Sequence, residues 1–329
     1  MLPVPVVYVE PMVPSKPSAA VWGYLAVLGA ALAWATSASM GKSLFGGRIS
    51  PLDVTQVRCL GAALVLGLAF LATGRARLFV VRGRDLPVLI LLGAGLMAWV
   101  QLSYFQAIAH LQVAAAILLQ YTSPLLVFAF AVLWWKERPT APKLVALALA
   151  LSGVFLVCGG HDLALLAQSR TGILWGLGSA VGFAAYTLLG EKLMQRYAPL
   201  TVLFYAVAFG AITCHLVGWP PGWIADRPGG DEWARLGFVV VVGTVLPFGL
   251  YYVGISRLRA SRANIVASSE PIMAAVVAFL FLGETLTLPQ LGGGAGVIAA
   301  VVLLGLGHEP DDLAPDRIRV DARARRDPG

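Results

Sequence analysis

One carboxylate stands where carboxylates are costly. Glu270 falls about nine residues into an apolar run spanning roughly 261–282, and a charged side chain at the centre of a membrane helix costs roughly 2.5–3.5 kcal/mol on insertion scales. Two roles could offset that cost. The carboxylate could face a cavity as a proton-titrating or amine-binding group, or it could bond to neighbouring helices and backbone beside Pro271 and hold a bundle together. Pro124 and Pro271 lie near the middle of two such runs and Pro247 lies in a third. Each proline lacks the N–H that a helix would direct to the carbonyl four residues back, which frees Gln120, Ala267 and Gly243. Freed carbonyls at mid-depth can take ammonium groups or cations, and the three prolines are candidate hinges.

Helical spacing groups further polar residues. Trp99, Ser103 and Gln106 share one face, as do Thr244, Pro247 and Tyr251. Gln120 and Tyr121, Trp34 with Ser37, and Tyr186 with Thr187 add polarity to other runs. A wall mixing aromatic rings with hydrogen-bonding groups suits small amphiphilic solutes. The cavity candidates are therefore Trp34, Trp99, Ser103, Gln106, Gln120, Tyr121, Tyr186, Thr244, Tyr251 and Glu270, with interhelical bonding or lipid contact as the competing role of each. Arg58, a turn and a half into its run, could snorkel to the interface, pair with a carboxylate or attract a carboxylate on a solute. Glu137 and Glu284 close corresponding runs and have a structural reading, met by solvent or a helix N-terminus. Glu191 and Lys192 read as solvated boundary charges.

Enzymatic chemistry finds little support. His110, His161, His215 and His308 are scattered, and Cys59, Cys158 and Cys214 sit singly in apolar sequence. No catalytic set, metal site or cofactor is expected, and no G-x-x-x-x-G-K-[ST] motif suggests a nucleotide motor. An integral-membrane enzyme acting on a lipid or prenyl chain is the alternative function. A sensory or scaffold membrane protein is a third.

The elements that must position these residues are membrane helices. Apolar residues make up 58% of the 329, charged residues only 12%, and mean hydropathy is +0.80, against about 25% charged in soluble domains. Runs of about 20 apolar residues are expected to span near 21–41, 51–73, 86–107, 112–135, 141–160, 171–191, 199–219, 234–256, 261–282 and 286–307. Each must be helical, because hydrocarbon cannot satisfy backbone groups. Residues 1–20, rich in proline, read as a disordered leader, and 308–329 as a disordered charged tail.

The chain also repeats itself. Residues 104–137 align without a gap on 251–284, with identities at Tyr104/Tyr251, Leu111/Leu258, Pro124/Pro271 and Glu137/Glu284. The starts of the halves match at a shift of 149, Gly23 on Gly172 and Trp34 on Phe183. Five spans per copy is an odd number, so the second copy must enter from the opposite side. The expected fold is an all-α integral membrane protein: ten transmembrane helices forming two inverted five-helix repeats, 21–160 and 171–307, around a central cavity.

A net charge of +7 does not point to nucleic acid, because the basic residues sit in short loops and the tail. They set orientation instead. With both termini cytoplasmic, 18 of the 24 Lys and Arg fall in inside segments and four in outside loops. Partners are then a small-molecule solute and membrane lipid, in a bacterial plasma membrane. Gly292 and Gly296 have a Gly-x-x-x-Gly spacing suited to close contact within the bundle or in a homodimer.

The WWKERPT segment after Pro124, and SSEPIMAAVVAFLFLGETLTLPQ with Glu270-Pro271 and Gly283-Glu284, resemble the paired EamA repeats of the drug/metabolite transporter superfamily. The ETLTLPQ continuation, and GKSLFGGRISPLDVTQVRCLG from Gly41, are similar to bacterial threonine and homoserine exporters. The resemblance covers about 20–307. It implies a ten-helix basket, with the fifth and tenth helices peripheral, that exports amino acids, related metabolites or toxic compounds. Ser123-Pro124 departs from the pattern that Glu270-Pro271 follows. Alternating access is the implied mechanism, with coupling to a proton gradient through Glu270 as an added expectation.

Overall fold

The computed structural model describes residues 19–45, 49–162, 169–282, 287–306 and 315. Among them the chain is helical, with no strand. In chain order the principal helices are α1 (Ala19–Lys42), α2 (Pro51–Ala72), α3 (Gly83–His110), α4 (Val113–Leu133), α5 (Ala141–Val157), α6 (Arg170–Met194), α7 (Pro199–Val217), α8 (Gly230–Leu258), α9 (Ala260–Ala267 and Glu270–Leu282) and α10 (Leu288–Leu306). Eight are long and apolar enough to cross a membrane; α5 has 17 residues and α9 is in two pieces of 8 and 13. The expected leader and tail, and Glu284, lie outside the described residues, apart from Ala19 and Ala20 in α1 and the isolated Pro315.

Local chemistry sets where helices start and break. Pro51 opens α2 behind Ser50, whose hydroxyl accepts from the Asp53 N–H at 3.2 Å while Asp53 accepts from the Ser50 N–H at 3.0 Å. Two of the donors that a helix start leaves orphaned are thereby satisfied. α3 and α8, the third helices of the two halves, widen to π-helix over Leu91–Met97 and Val241–Val245. α4 is interrupted after Gln120 and α9 after Ala267, and each restarts with a proline as the second residue, Pro124 or Pro271. The prolines therefore begin new helices rather than kink continuous ones. Their missing N–H costs nothing in a first turn.

Contacts gather the helix ends on two faces. On the first, the Tyr24 hydroxyl of α1 donates to the Leu304 carbonyl of α10 at 2.8 Å. Asp85 of α3 accepts there from Arg196 and Tyr197, just after α6, at 2.6 Å each. On the second, Gln56 of α2 donates to the carbonyls of Cys214 and Gly218 at the end of α7, both at 2.9 Å. A Cβ on Gly23 would meet Leu258 at 2.7 Å on the first face, and one on Gly172 would meet Leu111 at 2.6 Å on the second. By the repeat registers these are the same contact in the two halves.

Helix pairing follows the same rule. α1 packs on α8 and α6 on α3, α1 on α9 and α6 on α4, while α2 meets α7 and α5 meets α10. Exchanging each helix with the one five places along returns the same set. The α5–α10 crossing is close because Gly153 and Gly293 face each other: a Cβ on either would meet the other's carbonyl oxygen at 2.6 Å. Gly292 meets nothing there, so the seam runs through Gly293 rather than the Gly292 that the motif suggested.

Candidate functional site

The breaks in α4 and α9 face each other across the bundle. Tyr121, in the turn that interrupts α4, donates from its hydroxyl to Glu270 Oε2 at 2.7 Å. Ser123 donates to Asn264 Oδ1 at 3.2 Å. Glu270 is buried and is the first residue of the second α9 piece, where the positive end of the helix dipole favours a carboxylate. A helix start and a phenol hydroxyl thus offset the burial that made this residue conspicuous in sequence.

Beside this junction lies a cavity of mixed lining, formed by Trp34, Ser37 and Ala38 of α1, Arg58 of α2, Val100, Gln101, Tyr104 and Phe105 of α3, Gln120 and Tyr121 of α4, Phe183 of α6, Val239 and Phe248 of α8, and Glu270. Its volume is about 40 Å³, room for a few waters, so a larger molecule would require the helices to part. Most of the α1, α2 and α3 lining lies toward the second face. Toward the first face α6 and α8 contribute an aromatic layer: Phe183 stacks on Tyr251 at 5.4 Å, Tyr186 on Tyr252 at 5.0 Å, and Trp34 packs edge-on to Phe248 at 5.1 Å.

Four of the expected cavity residues line it: Trp34, Gln120, Tyr121 and Glu270. Gln120 also donates to Ser179 at 2.9 Å. The other six lie elsewhere. Trp99 is half-exposed, with its indole N–H on the Gly178 carbonyl at 2.8 Å, and Ser103 is satisfied by the Trp99 carbonyl of its own helix at 2.6 Å. Gln106 is half-buried on that face, and its carbonyl meets His110 at 2.8 Å. α3 turns the adjacent face inward, with Gln101, Tyr104 and Phe105; their i, i+3, i+4 spacing was the available signal. Tyr251 and Tyr186 are fully buried in the aromatic layer, Tyr251 bonded to Thr187 at 3.0 Å.

Thr244 has a different task. Its hydroxyl accepts from Arg58 Nε at 2.9 Å, while Arg58 Nη2 donates to the Gly243 carbonyl at 2.6 Å. That carbonyl is the one Pro247 leaves without its helical donor. Arg58 is 4% exposed and lies 4.9 Å over the Phe105 ring. It neither snorkels nor pairs with a carboxylate among the described residues.

The carboxylates expected at boundaries form a buried cluster on the first face. Glu137 accepts from Lys143 and Ser261 at 2.7 Å each and lies 3.3 Å from Arg259 Nη1. Glu191, 1% exposed at its side chain, takes Arg259 Nε at 3.3 Å and the Ala260 N–H. Solvent is not the partner of either acid, whereas Lys192 is exposed as expected. Burial alone would push the Glu137 carboxyl up, but Arg259, Lys143 and Ser261 together hold it below the ordinary range. The three cysteines are buried and free, and among the described residues no group of three His, Cys, Asp or Glu could hold a metal.

Apolar helices enclosing a cavity with charged and polar groups in its wall, between two matched halves, define a polytopic helical membrane protein. The EamA-like transporter family matches over residues 21–159 and 170–306. The chain belongs to that family and is a membrane transporter rather than an enzyme. Relatives include the uncharacterized inner membrane transporter YicL of Salmonella typhimurium, 29% identical and covering 86% of this chain and 95% of its own. The threonine/homoserine exporter RhtA of Escherichia coli K12 is 32% identical over 80% of this chain and 84% of its own. A probable terminal-alkyne amino-acid exporter of Streptantibioticus cattleyicolor is 28% identical over 92% and 99%. A solved crystal structure shares the fold at a TM-score of 0.70 and 19% identity, covering 89% of this chain and 98% of its own.

Proposed function

We propose that this protein exports amino acids or related small metabolites across a bacterial plasma membrane by alternating access. Its ten helices act as two inverted five-helix repeats, 21–160 and 171–307, with both termini cytoplasmic, and the central cavity is exposed to each side in turn. The observation that carries the reading is Glu270, held by Tyr121 where the two broken helices meet on the cavity wall. A carboxylate at that depth can bind an ammonium group or exchange a proton, and broken helices are where secondary transporters place their sites. The exchange of Gly23–Leu258 for Gly172–Leu111, and the 18-to-4 bias of basic residues, support the inverted threading and its orientation.

Names of relatives as amino-acid exporters favour this solute class. The test is counterflow: liposomes containing the purified protein and loaded with unlabelled threonine or homoserine should accumulate the labelled compound. A panel of amino acids giving no saturable exchange would overturn the reading. Proton coupling through Glu270 is part of the proposal, and flux indifferent to a protonophore would remove it.

A further inference from the structure

We infer that Arg58 is a receptor for a carboxylate on the molecule that enters the cavity, an inference that rests on the transporter reading for its purpose but not for its test. The guanidinium is a rigid fork with five N–H donors. One edge is anchored on α8: Nε–H to Thr244 Oγ1 at 2.9 Å and Nη2–H to the Gly243 carbonyl at 2.6 Å. Both acceptors are neutral, and no acid pairs with Arg58 among the described residues. The end of the fork, Nη1 with the second Nη2–H, has no protein partner there, and Arg58 forms part of the cavity wall.

A cation 4% exposed, fixed in orientation and with no carboxylate at ion-pair distance among the described residues, is suited to receive an anion. The geometry of its free end suits a planar carboxylate, which accepts two parallel N–H bonds from such a fork. Phe105 covers one face of the guanidinium at 4.9 Å, and the free N–H groups point in its plane, which is the direction from which a carboxylate would be received. Pro247 makes the arrangement possible, because an ordinary residue there would supply the N–H that the Gly243 carbonyl otherwise receives in a helix. Arg58 and Glu270 then offer opposite charges on the walls of one cavity, a pattern for a solute carrying both an acid and an amine.

A purely structural role, tying α2 to α8, is separable by experiment. Binding is read from the intrinsic tryptophan fluorescence of the detergent-solubilised full chain, titrated with each of the twenty common amino acids and with the corresponding amides. The expected result is that at least one amino acid binds, that its amide binds tenfold or more weakly, and that Arg58→Gln weakens the acid by tenfold or more while leaving the amide within twofold. Arg58→Lys, which keeps the charge but not the fork, should fall between. Equal binding of acid and amide by the wild-type protein overturns the inference without any variant, as does the absence of binding to every amino acid. Equal binding of the acid by wild type and Arg58→Gln overturns it as well. Selective binding without counterflow would leave the inference standing and remove export as the function; counterflow that ignores the carboxylate would do the reverse.

Discussion

The Tyr121 hydroxyl lies 2.7 Å from Glu270 Oε2, joining the break in the fourth helix to the break in the ninth. Tyr121→Phe deletes that donor and little else. Loss of a buried bond to a carboxyl group should cost about 1–3 kcal/mol of stability, read as a lower melting temperature in detergent. Counterflow should drop at least tenfold, because Glu270 is no longer held in place. A variant with wild-type flux would show that the bond is not needed for transport.

Glu270→Gln keeps an acceptor for Tyr121 and removes the titrating group. Its liposomes are expected to lose counterflow at least tenfold, as Tyr121→Phe does, and to give no net flux driven by an imposed pH gradient. Retained gradient-driven flux would place proton movement elsewhere.

Arg259 combines two opposing effects. Its backbone lies at φ 74°, ψ 160°, a region that costs about 1–3 kcal/mol for a residue with a side chain. Its guanidinium serves two buried acids, and breaking such pairs costs about 3–5 kcal/mol. Both Arg259→Ala and Arg259→Gly should destabilise, with glycine the milder by about 1 kcal/mol or more because it relieves the strain. Denaturation midpoints of the two variants measure the difference, and a glycine variant no better than alanine would contradict the backbone argument.

Acid should weaken the same cluster. Glu137 is held below its ordinary range, so as pH falls the unfolded chain takes up that proton before the folded one does. The stability it contributes is therefore complete above the ordinary Glu value near 4.3 and is lost as pH drops through the lower folded value. Melting temperatures of wild type and Glu137→Gln, compared between about pH 6 and 3, should converge at the acid end. Parallel curves would mean that Glu137 is not the group responsible.

The α5–α10 seam offers a steric contrast. Gly153→Ala and Gly293→Ala each place a methyl 2.6 Å from the opposing carbonyl oxygen, whereas Gly292→Ala meets open space. The first two should destabilise by about 1–3 kcal/mol and the third by less than about 0.5 kcal/mol, all measured as thermal shifts in detergent.

Much of this architecture was readable because lipid permits few solutions. Run length, the two repeat registers and the matched prolines give the helices and locate the breaks, and Glu270 is conspicuous through its cost. Trp34, Gln120 and Tyr121 followed as polar or aromatic neighbours. The inward face of α3 was misread in spite of its spacing, because Ser103 bonds a carbonyl of its own helix and Trp99 the Gly178 carbonyl of α6, and polarity alone does not reveal that. The neutral anchors of Arg58 were hidden for a related reason: Gly243 and Thr244 meet it from 185 and 186 residues away. Glu137 and Glu191 looked like surface charges because each ends an apolar run. Only packing brings Lys143, Arg259 and Ser261 around them.

Most of that cluster has no counterpart in the repeat registers. On the repeat registers Glu137 keeps a counterpart in Glu284, but Glu191 corresponds to Lys42, Arg259 to Gln112, Lys143 to Gln290 and Ser261 to Ala114, so the mirror-image door lacks four parts of this bolt. A carrier built from two equal halves could idle facing either way, whereas on the alternating-access cycle proposed above this asymmetry would latch one threshold only. On that proposed cycle the slow stroke would be the one that unfastens those charges, and the rate of turnover would then be governed far from the place where cargo sits.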